Sequence, residues 1–244
     1  VPGKRGPRVR SVAVGNVALM STRPTALVTG ASRGVGAATA RALAATHDVL
    51  LGGRDADALA TLAAELPGAT AWPVELTAVT AADVAPISSL DVLVHSAGVA
   101  RLGTLAQGSA QQWRETLEVN VVAVAELTRL LLPALRAAGG HVVLINSGSG
   151  ITAHPGWGSY AASKFALRAL ADALRAEEPG LRVTSVHPGR VDTDMQRAVV
   201  AHEGGEYDGS RFLTADSVAA AVLAAVLAGP DAHLTELVLR PTGR

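Results

Sequence analysis

Tyr160 and Lys164 stand four residues apart in S-Y-A-A-S-K, in a chain that holds only two tyrosines and two lysines. Its basic positions are otherwise filled by arginine, apart from Lys4 in a basic N-terminal stretch. Lysine kept beside tyrosine against that bias points to a site where guanidinium does not serve. On a helix, residues i and i+4 share a face and can reach one target. A phenol with an unperturbed pKa of about 10 is a poor base near neutrality, and a neighbouring ammonium stabilises the phenolate and lowers that value. Lysine brings a compact charge with rotatable donors, whereas arginine brings a broad planar fork. The pair suits a tyrosine acid/base tuned by lysine; the alternative is an inert surface pair.

The elements that must position this pair alternate from Thr25 onward. Short β-branched runs begin at T-A-L-V-T, D-V-L-L, A-T-A-W-P-V, D-V-L-V-H, H-V-V-L-I-N, R-V-T-S-V-H and E-L-V-L-R. Ala-rich stretches between them predict helices from the glycine turn through about 45 and over about 55–66, 81–87, 109–137, 158–177 and 215–227, with Asp55 as an N-cap. Continuous apolar strands separated by helices predict a seven-stranded parallel sheet covered on both faces, in one domain. Ligands of such sheets bind beyond the carboxyl ends of the strands. The residues there are Gly30, Arg54, Gly98, Ser147, Pro188 and Gly189, a clustering expected of a single site.

After the first strand, T-G-A-S-R-G-V-G places Gly30, Gly34 and Gly36 ahead of a helix. Glycines permit the tight turn and let backbone N–H groups approach a pyrophosphate at the positive helix end. The spacing is G-x-x-x-G-x-G rather than G-x-G-x-x-G. The second strand ends in L-G-G-R-D, with Gly53 where an NAD site presents a carboxylate to the ribose, and Arg54 next. Arg33 adds a second guanidinium, and two such forks suit a 2′-phosphate. Asp55 is the opposing sign, but it occupies the N-cap position. NADP(H) is the expected cofactor.

Composition sets the outer bounds. The 244 residues are 49% hydrophobic with a formal net charge of zero, which argues against a nucleic-acid or anionic-membrane surface as main partner. There is no cysteine, so disulfide and thiolate chemistry are excluded. Seven histidines lie scattered without metal-ligand spacing, so no metal is expected. No apolar run approaches the ~20 residues of a membrane span, and a cytoplasmic protein is expected. Residues 1–22 are expected to form a flexible extension, with the domain spanning 23–244.

Together these residues resemble the short-chain dehydrogenase/reductase family, over nearly the whole chain from Thr25. The motifs follow in order: Thr29 to Gly36, Ala97 and Gly98, the helical Asn120, Ser147 thirteen residues ahead of Tyr160, then Lys164, then Pro188 and Gly189. The resemblance implies a doubly wound Rossmann fold and an oxidoreductase of carbonyls and secondary alcohols. It implies that Tyr160 exchanges a proton with the substrate oxygen and Ser147 hydrogen-bonds it. Lys164 would bind the nicotinamide ribose and depress the tyrosine pKa, and Asn120 would anchor a water linking Lys164 to solvent. The cofactor set it implies is Gly30, Ser32, Arg33, Gly34, Val35, Gly36, Arg54, Glu75, Leu76, Ala97, Gly98, Tyr160, Lys164, Pro188, Gly189, Val191 and Thr193. Two positions depart from the family pattern: Ser96 replaces an asparagine, and Glu75 replaces an aspartate that contacts adenine. Ser149 is near Tyr160 too, but Ser147 has the family spacing.

A substrate wall is expected from residues 148–157 and the segment after Pro188, with His154, Trp157, Met195, Tyr207 and Phe212 as candidates. Residues 196–213, polar and glycine-containing, read as a mobile lid. The resemblance also implies a homodimer or homotetramer. Two rivals are an extended epimerase or dehydratase and a non-catalytic NADP-binding sensor or scaffold. The first is disfavoured because only about fifty-five residues follow Pro188; the second because Ser147, Tyr160 and Lys164 are all present.

Overall fold

The computed structural model describes residues 10–13, 18–21 and 23–242, with side chains from residue 23. The expectation of a flexible extension over 1–22 falls largely outside the described residues. Within it, β1 (Arg10–Ala13) and β2 (Ala18–Ser21) pair as an antiparallel ribbon separate from the main sheet.

Seven strands form one parallel sheet: β3 (Thr25–Thr29), β4 (Asp48–Gly53), β5 (Ala69–Pro73), β6 (Val92–His95), β7 (His141–Ile145), β8 (Arg182–Pro188) and β9 (Glu236–Leu239). Their spatial order is β5-β4-β3-β6-β7-β8-β9. The chain therefore winds outward from β3 to one edge, returns to β6 and winds to the other. The reversal opens a crevice between the carboxyl ends of β3 and β6.

Side-chain alternation splits the apolar interior into two layers. Leu27, Leu93, Leu144 and Val183 face one layer with Leu127, Leu131 and Leu135 of α5 (Ala123–Ala138) and Leu167 and Leu174 of α6 (Gly158–Glu177). Val28, Val94, Val143 and Val186 face the other, against α1 (Gly34–Ala44), α2 (Ala56–Glu65) and α8 (Ala215–Val226). Each fully buried leucine contributes roughly 1.5–3 kcal/mol. Strands buried on both faces explain why the sequence shows continuous apolar runs. Asp55 caps α2, accepting from the Ala58 amide at 3.0 Å. No described helix is long and apolar enough to cross a membrane.

Two helical readings need correction, and one helix lies where none was read. The short α3 is one turn, Ala81–Val84, closed by reciprocal Thr80 and Asp83 bonds rather than running to residue 87. The stretch read as one helix over 109–137 is α4 (Ala110–Leu117), a π-helical turn (Glu118–Val122) and then α5. Such turns insert a residue into the helical ladder and often mark functional positions; here the inserted turn carries Asn120. The presumed lid begins as a helix, α7 (Asp194–His202), whose N-cap Thr193 accepts from the Gln196 amide at 3.3 Å. Gln196, Val199 and Val200 form its buried face.

Candidate active site

The turn after β3 is built for close approach. Gly30 has φ +65°, and a β-carbon on it would lie 2.8 Å from Ala97 Cα. On Gly36 a β-carbon would lie 2.1 Å from the Gly30 carbonyl oxygen. The α1 N-cap is Arg33, which offers no side-chain cap, and the first turn holds no acidic residue. The leading amides of α1 thus have the positive end of the helix dipole and no carboxylate from the first turn of α1 itself. That donor set fits a dinucleotide pyrophosphate. Thr29 ties the opposite lip: its hydroxyl accepts from the Ser96 and Ala97 amides at 3.1 and 3.2 Å and donates to the Val94 carbonyl at 3.3 Å. This clamp holds the start of the A-G segment across the crevice, at the position where serine replaces the family's asparagine.

The remaining cofactor candidates border the same edge of the sheet. Arg54 lies 3.8 Å from Glu75, and Arg33 lies 3.8 Å from Asp194; all four side chains are largely exposed, so these pairs are weak. Glu75 accepts from the amide and hydroxyl of Thr77, capping the turn that begins at Leu76. Val35, Leu76 and Val191 pack their side chains into the apolar layers, and the Val191 carbonyl accepts from Thr193 Oγ1 at 3.2 Å. Ser32 is half-buried in the glycine turn. Thr193 stands against that turn, 3.3 Å from where a β-carbon on Gly34 would lie. Pro188 ends β8, and the Gly189 amide donates to the Leu239 carbonyl at 2.8 Å.

Ser147, Tyr160, Lys164 and Asn120 meet between β7, α6 and the π turn. Ser147 follows β7; its Oγ accepts the Ser149 amide at 3.1 Å, and Tyr160 is buried beside it on α6. Ser149 itself is buried and serves as that donor. Lys164 Nζ donates to the Ile145 carbonyl at 2.8 Å and lies 5.7 Å from the Tyr160 ring centroid. Asn120 is spoken for by protein: Oδ1 accepts the Val99 amide at 2.9 Å, and Nδ2 donates to the Val99 carbonyl and Ser163 Oγ at 2.9 and 3.0 Å. It bolts the loop after Gly98 onto α6.

The electrostatics differ from the expectation that lysine depresses the tyrosine pKa. Burial pushes the Tyr160 phenol above its ordinary value, and the nearby Ser147 side chain only partly opposes this. Burial also lowers Lys164, to about 8. In the ligand-free protein Tyr160 is therefore protonated at neutral pH, the form that donates a proton.

Around this group, Trp157 meets the Tyr160 ring edge-on at 5.7 Å between centroids. The Arg190 guanidinium lies 5.9 Å from the Trp157 ring and is held by Glu203 at 2.7 and 2.6 Å. Tyr207 donates to Asp192, packs on Phe212 at 5.4 Å and lies under Arg197 at 4.2 Å, so the segment after α7 folds around Asp192. Met195 and His154 are exposed. A cavity of about 250 Å³ is lined by Ala100, Arg101, Leu102 and Gln112 on one side and by Ala198, Val199 and His202 of α7 on the other. The Arg101 carbonyl accepts from Ser159 Oγ at 3.0 Å, which joins this wall to the residue before Tyr160. Sequence reasoning missed residues 100–102, whose only signal is that they follow Ala97-Gly98.

Comparison with known proteins agrees with this geometry. The family model for short chain dehydrogenases matches residues 24–204. The chain is 32% identical over 252 residues to dehydrogenase/reductase SDR family member 11 of Gallus gallus, covering 91% of this chain and 97% of that protein. It is 34% identical over 235 residues to glycine betaine reductase ATRR of Emericella nidulans, covering 88% of this chain but 18% of that protein. Among solved structures, the alcohol dehydrogenase of Thermococcus sibiricus complexed with 5-hydroxy-NADP superposes with a TM-score of 0.81 at 28% identity, over 91% of this chain and 97% of that one. An actinorhodin polyketide ketoreductase with NADPH reaches 0.80 at 27% identity, over 90% and 96%. This chain belongs to the short-chain dehydrogenase/reductase family of oxidoreductases.

Proposed function

We propose that the protein is an NADP(H)-dependent oxidoreductase that interconverts a carbonyl and a secondary alcohol, with Tyr160 as the general acid/base. The observation that carries this reading is the buried Tyr160 phenol, with the Ser147 side chain acting on it and the Lys164 ammonium 5.7 Å from its ring centroid. In reduction the Tyr160 phenol gives its proton to the carbonyl oxygen. Ser147 Oγ, having accepted the Ser149 amide, keeps its own hydrogen to donate to that oxygen. Lys164 stabilises the phenolate that remains, and Asn120 holds the loop at Val99 against α6. When bound, the nicotinamide supplies or removes the hydride. Gly30, Gly34, Gly36 and the amides of α1 would hold its pyrophosphate, and Arg33 and Arg54 its 2′-phosphate. Gly53, without a carboxylate at the end of β4, supports that preference, as do the NADP ligands named for two structural neighbours.

The test follows NADPH oxidation against a panel of ketones and aldehydes. Turnover should fall about 10²–10⁴-fold in Tyr160→Phe. Undiminished turnover in that variant would remove Tyr160 from the mechanism. A homodimer or homotetramer is part of the proposal, supported by the exposed Val122 and Phe165 on the π turn and α6; light scattering that returns a monomer would withdraw it.

A further inference from the structure

His187 lies behind the catalytic serine and is not accounted for by the reaction scheme. Its side chain is fully buried at the carboxyl end of β8, with Nδ1 3.2 Å from the Ser147 carbonyl. A carbonyl can only accept, so Nδ1 must carry the hydrogen. In the neutral ring Nε2 is then a bare acceptor, and it has no hydrogen-bond partner. Glu236 Oε1 of β9 stands 4.0 Å from it, and that carboxylate is gripped by Arg168 Nε at 2.9 Å. Arg168 lies one helical turn beyond Lys164 on α6. Arg240 closes the group, donating from Nη1 to the His187 carbonyl at 3.1 Å. Its Nη2 comes within 3.4 Å of where a β-carbon on Gly148 would lie. The ring therefore sits among β7, β8, β9 and α6 and touches one polar group of the reaction centre, the carbonyl of Ser147.

We propose that His187 is a positioning residue for the reaction, its Nδ1–H fixing the Ser147 main chain so that Ser147 Oγ meets the Tyr160 hydroxyl. The proposal rests on the reading of Ser147 and Tyr160 given above. Ser147 Oγ is already committed to the Ser149 amide, so its direction follows the backbone turn that the imidazole holds. Burial is the main influence keeping the ring neutral, with the Ser147 bond and Glu236 opposing it. The carboxylate near Nε2 would favour the other tautomer, with the hydrogen on Nε2, so the Ser147 contact, not Glu236, selects Nδ1–H.

Two amide replacements separate positioning from bulk. In His187→Asn the side-chain nitrogen falls near the place of Nδ1 and can donate to Ser147; in His187→Gln it falls near Nε2 and cannot. Asparagine should keep kcat within about threefold, while glutamine should lower it about tenfold with the NADPH dissociation constant unchanged. The glutamine loss should vanish when Ser147 is already alanine. Equal kcat in both amide variants, or a glutamine loss that persists undiminished in Ser147→Ala, would overturn the inference. A readout free of turnover separates this from failure of the proposed function. In a Tyr207→Phe background Tyr160 is the sole tyrosine, and its phenolate absorbance can be titrated. His187→Gln should move that titration upward and His187→Asn should not; no movement in either refutes the positioning role even if no carbonyl is ever turned over.

Discussion

Lys164 Nζ donates to the main-chain carbonyl of Ile145 at 2.8 Å, the last residue of β7 and two before Ser147. The bond fixes the ammonium behind the tyrosine, and burial lowers its pKa to about 8. In the unfolded chain the value is about 10.4, so the folded protein bears the full cost of the buried charge below pH 8, and that cost fades as pH rises toward 10.4. With only Lys4 besides, isotope-labelled lysine NMR resolves the two residues. Lys164 should titrate near pH 8, and a midpoint above 10 would contradict its burial. Lys164→Arg should lower kcat at least about tenfold, because a guanidinium neither fits the pocket of the ammonium nor shifts its pKa comparably.

The glycine turn separates strain from ordinary surface change. Gly36→Ala drives a β-carbon to 2.1 Å from the Gly30 carbonyl oxygen, which no rotamer relieves. It should cost more than about 2 kcal/mol in urea unfolding and weaken NADPH binding at least about tenfold. Gly180→Ala, with nothing within 4 Å of the added carbon, is the control and should stay within about 0.5 kcal/mol. Equal stability and NADPH affinity in the two variants would mean that the turn can relax.

Two buried histidines make the fold acid-sensitive. His95 meets Thr128 Oγ1 at 2.9 Å and His141 meets Thr184 Oγ1 at 2.7 Å. Burial lowers each pKa to about 3, assisted at His141 by Arg182 and His233. Between about pH 6.5 and 3 the unfolded chain binds protons that the native state refuses. Stability is thus intact above 6.5 and falls with pH, by up to about 1.4 kcal/mol per unit for each ring. Urea midpoints should drop less steeply on acidification in His95→Gln, whose amide can still face Thr128. A slope matching that of the parent protein would show that His95 contributes nothing to acid lability.

Periodicity made the sheet legible because β3, β7 and β8 are buried on both faces and show it as unbroken apolar runs. The site was legible where a residue type is itself the chemistry, as with Tyr160, Lys164 and the glycines of the turn. What escaped depended on non-local contact. The π turn carries Asn120, which bonds Val99 twenty-one residues back, and no window around residue 120 reveals that contact. The helix α7 escaped because the segment is polar and glycine-containing, and its buried residues Gln196, Val199 and Val200 are set only against the rest of the fold. The sign of the Tyr160 shift escaped for the same reason, since burial is its largest cause and burial is a property of the folded chain.

Arg54 decides the last prediction, on coenzyme choice. Its guanidinium is 3.8 Å from Glu75 and largely exposed, so the pair is too weak to hold it against a doubly charged phosphate. A 2′-phosphate would draw Arg54 away from Glu75, whereas the ribose hydroxyl of NADH offers no charge to compete. Arg54→Ala should therefore weaken NADPH about tenfold or more and leave NADH within about twofold, for a charge-assisted contact of roughly 1.5–3 kcal/mol. Glu75→Gln should act the other way, tightening NADPH modestly by releasing the guanidinium. Raising salt should weaken NADPH more than NADH, because only the former relies on the exposed charge. Fluorescence titrations of both coenzymes measure all three, and equal affinities in the unaltered protein would refute the phosphate preference outright.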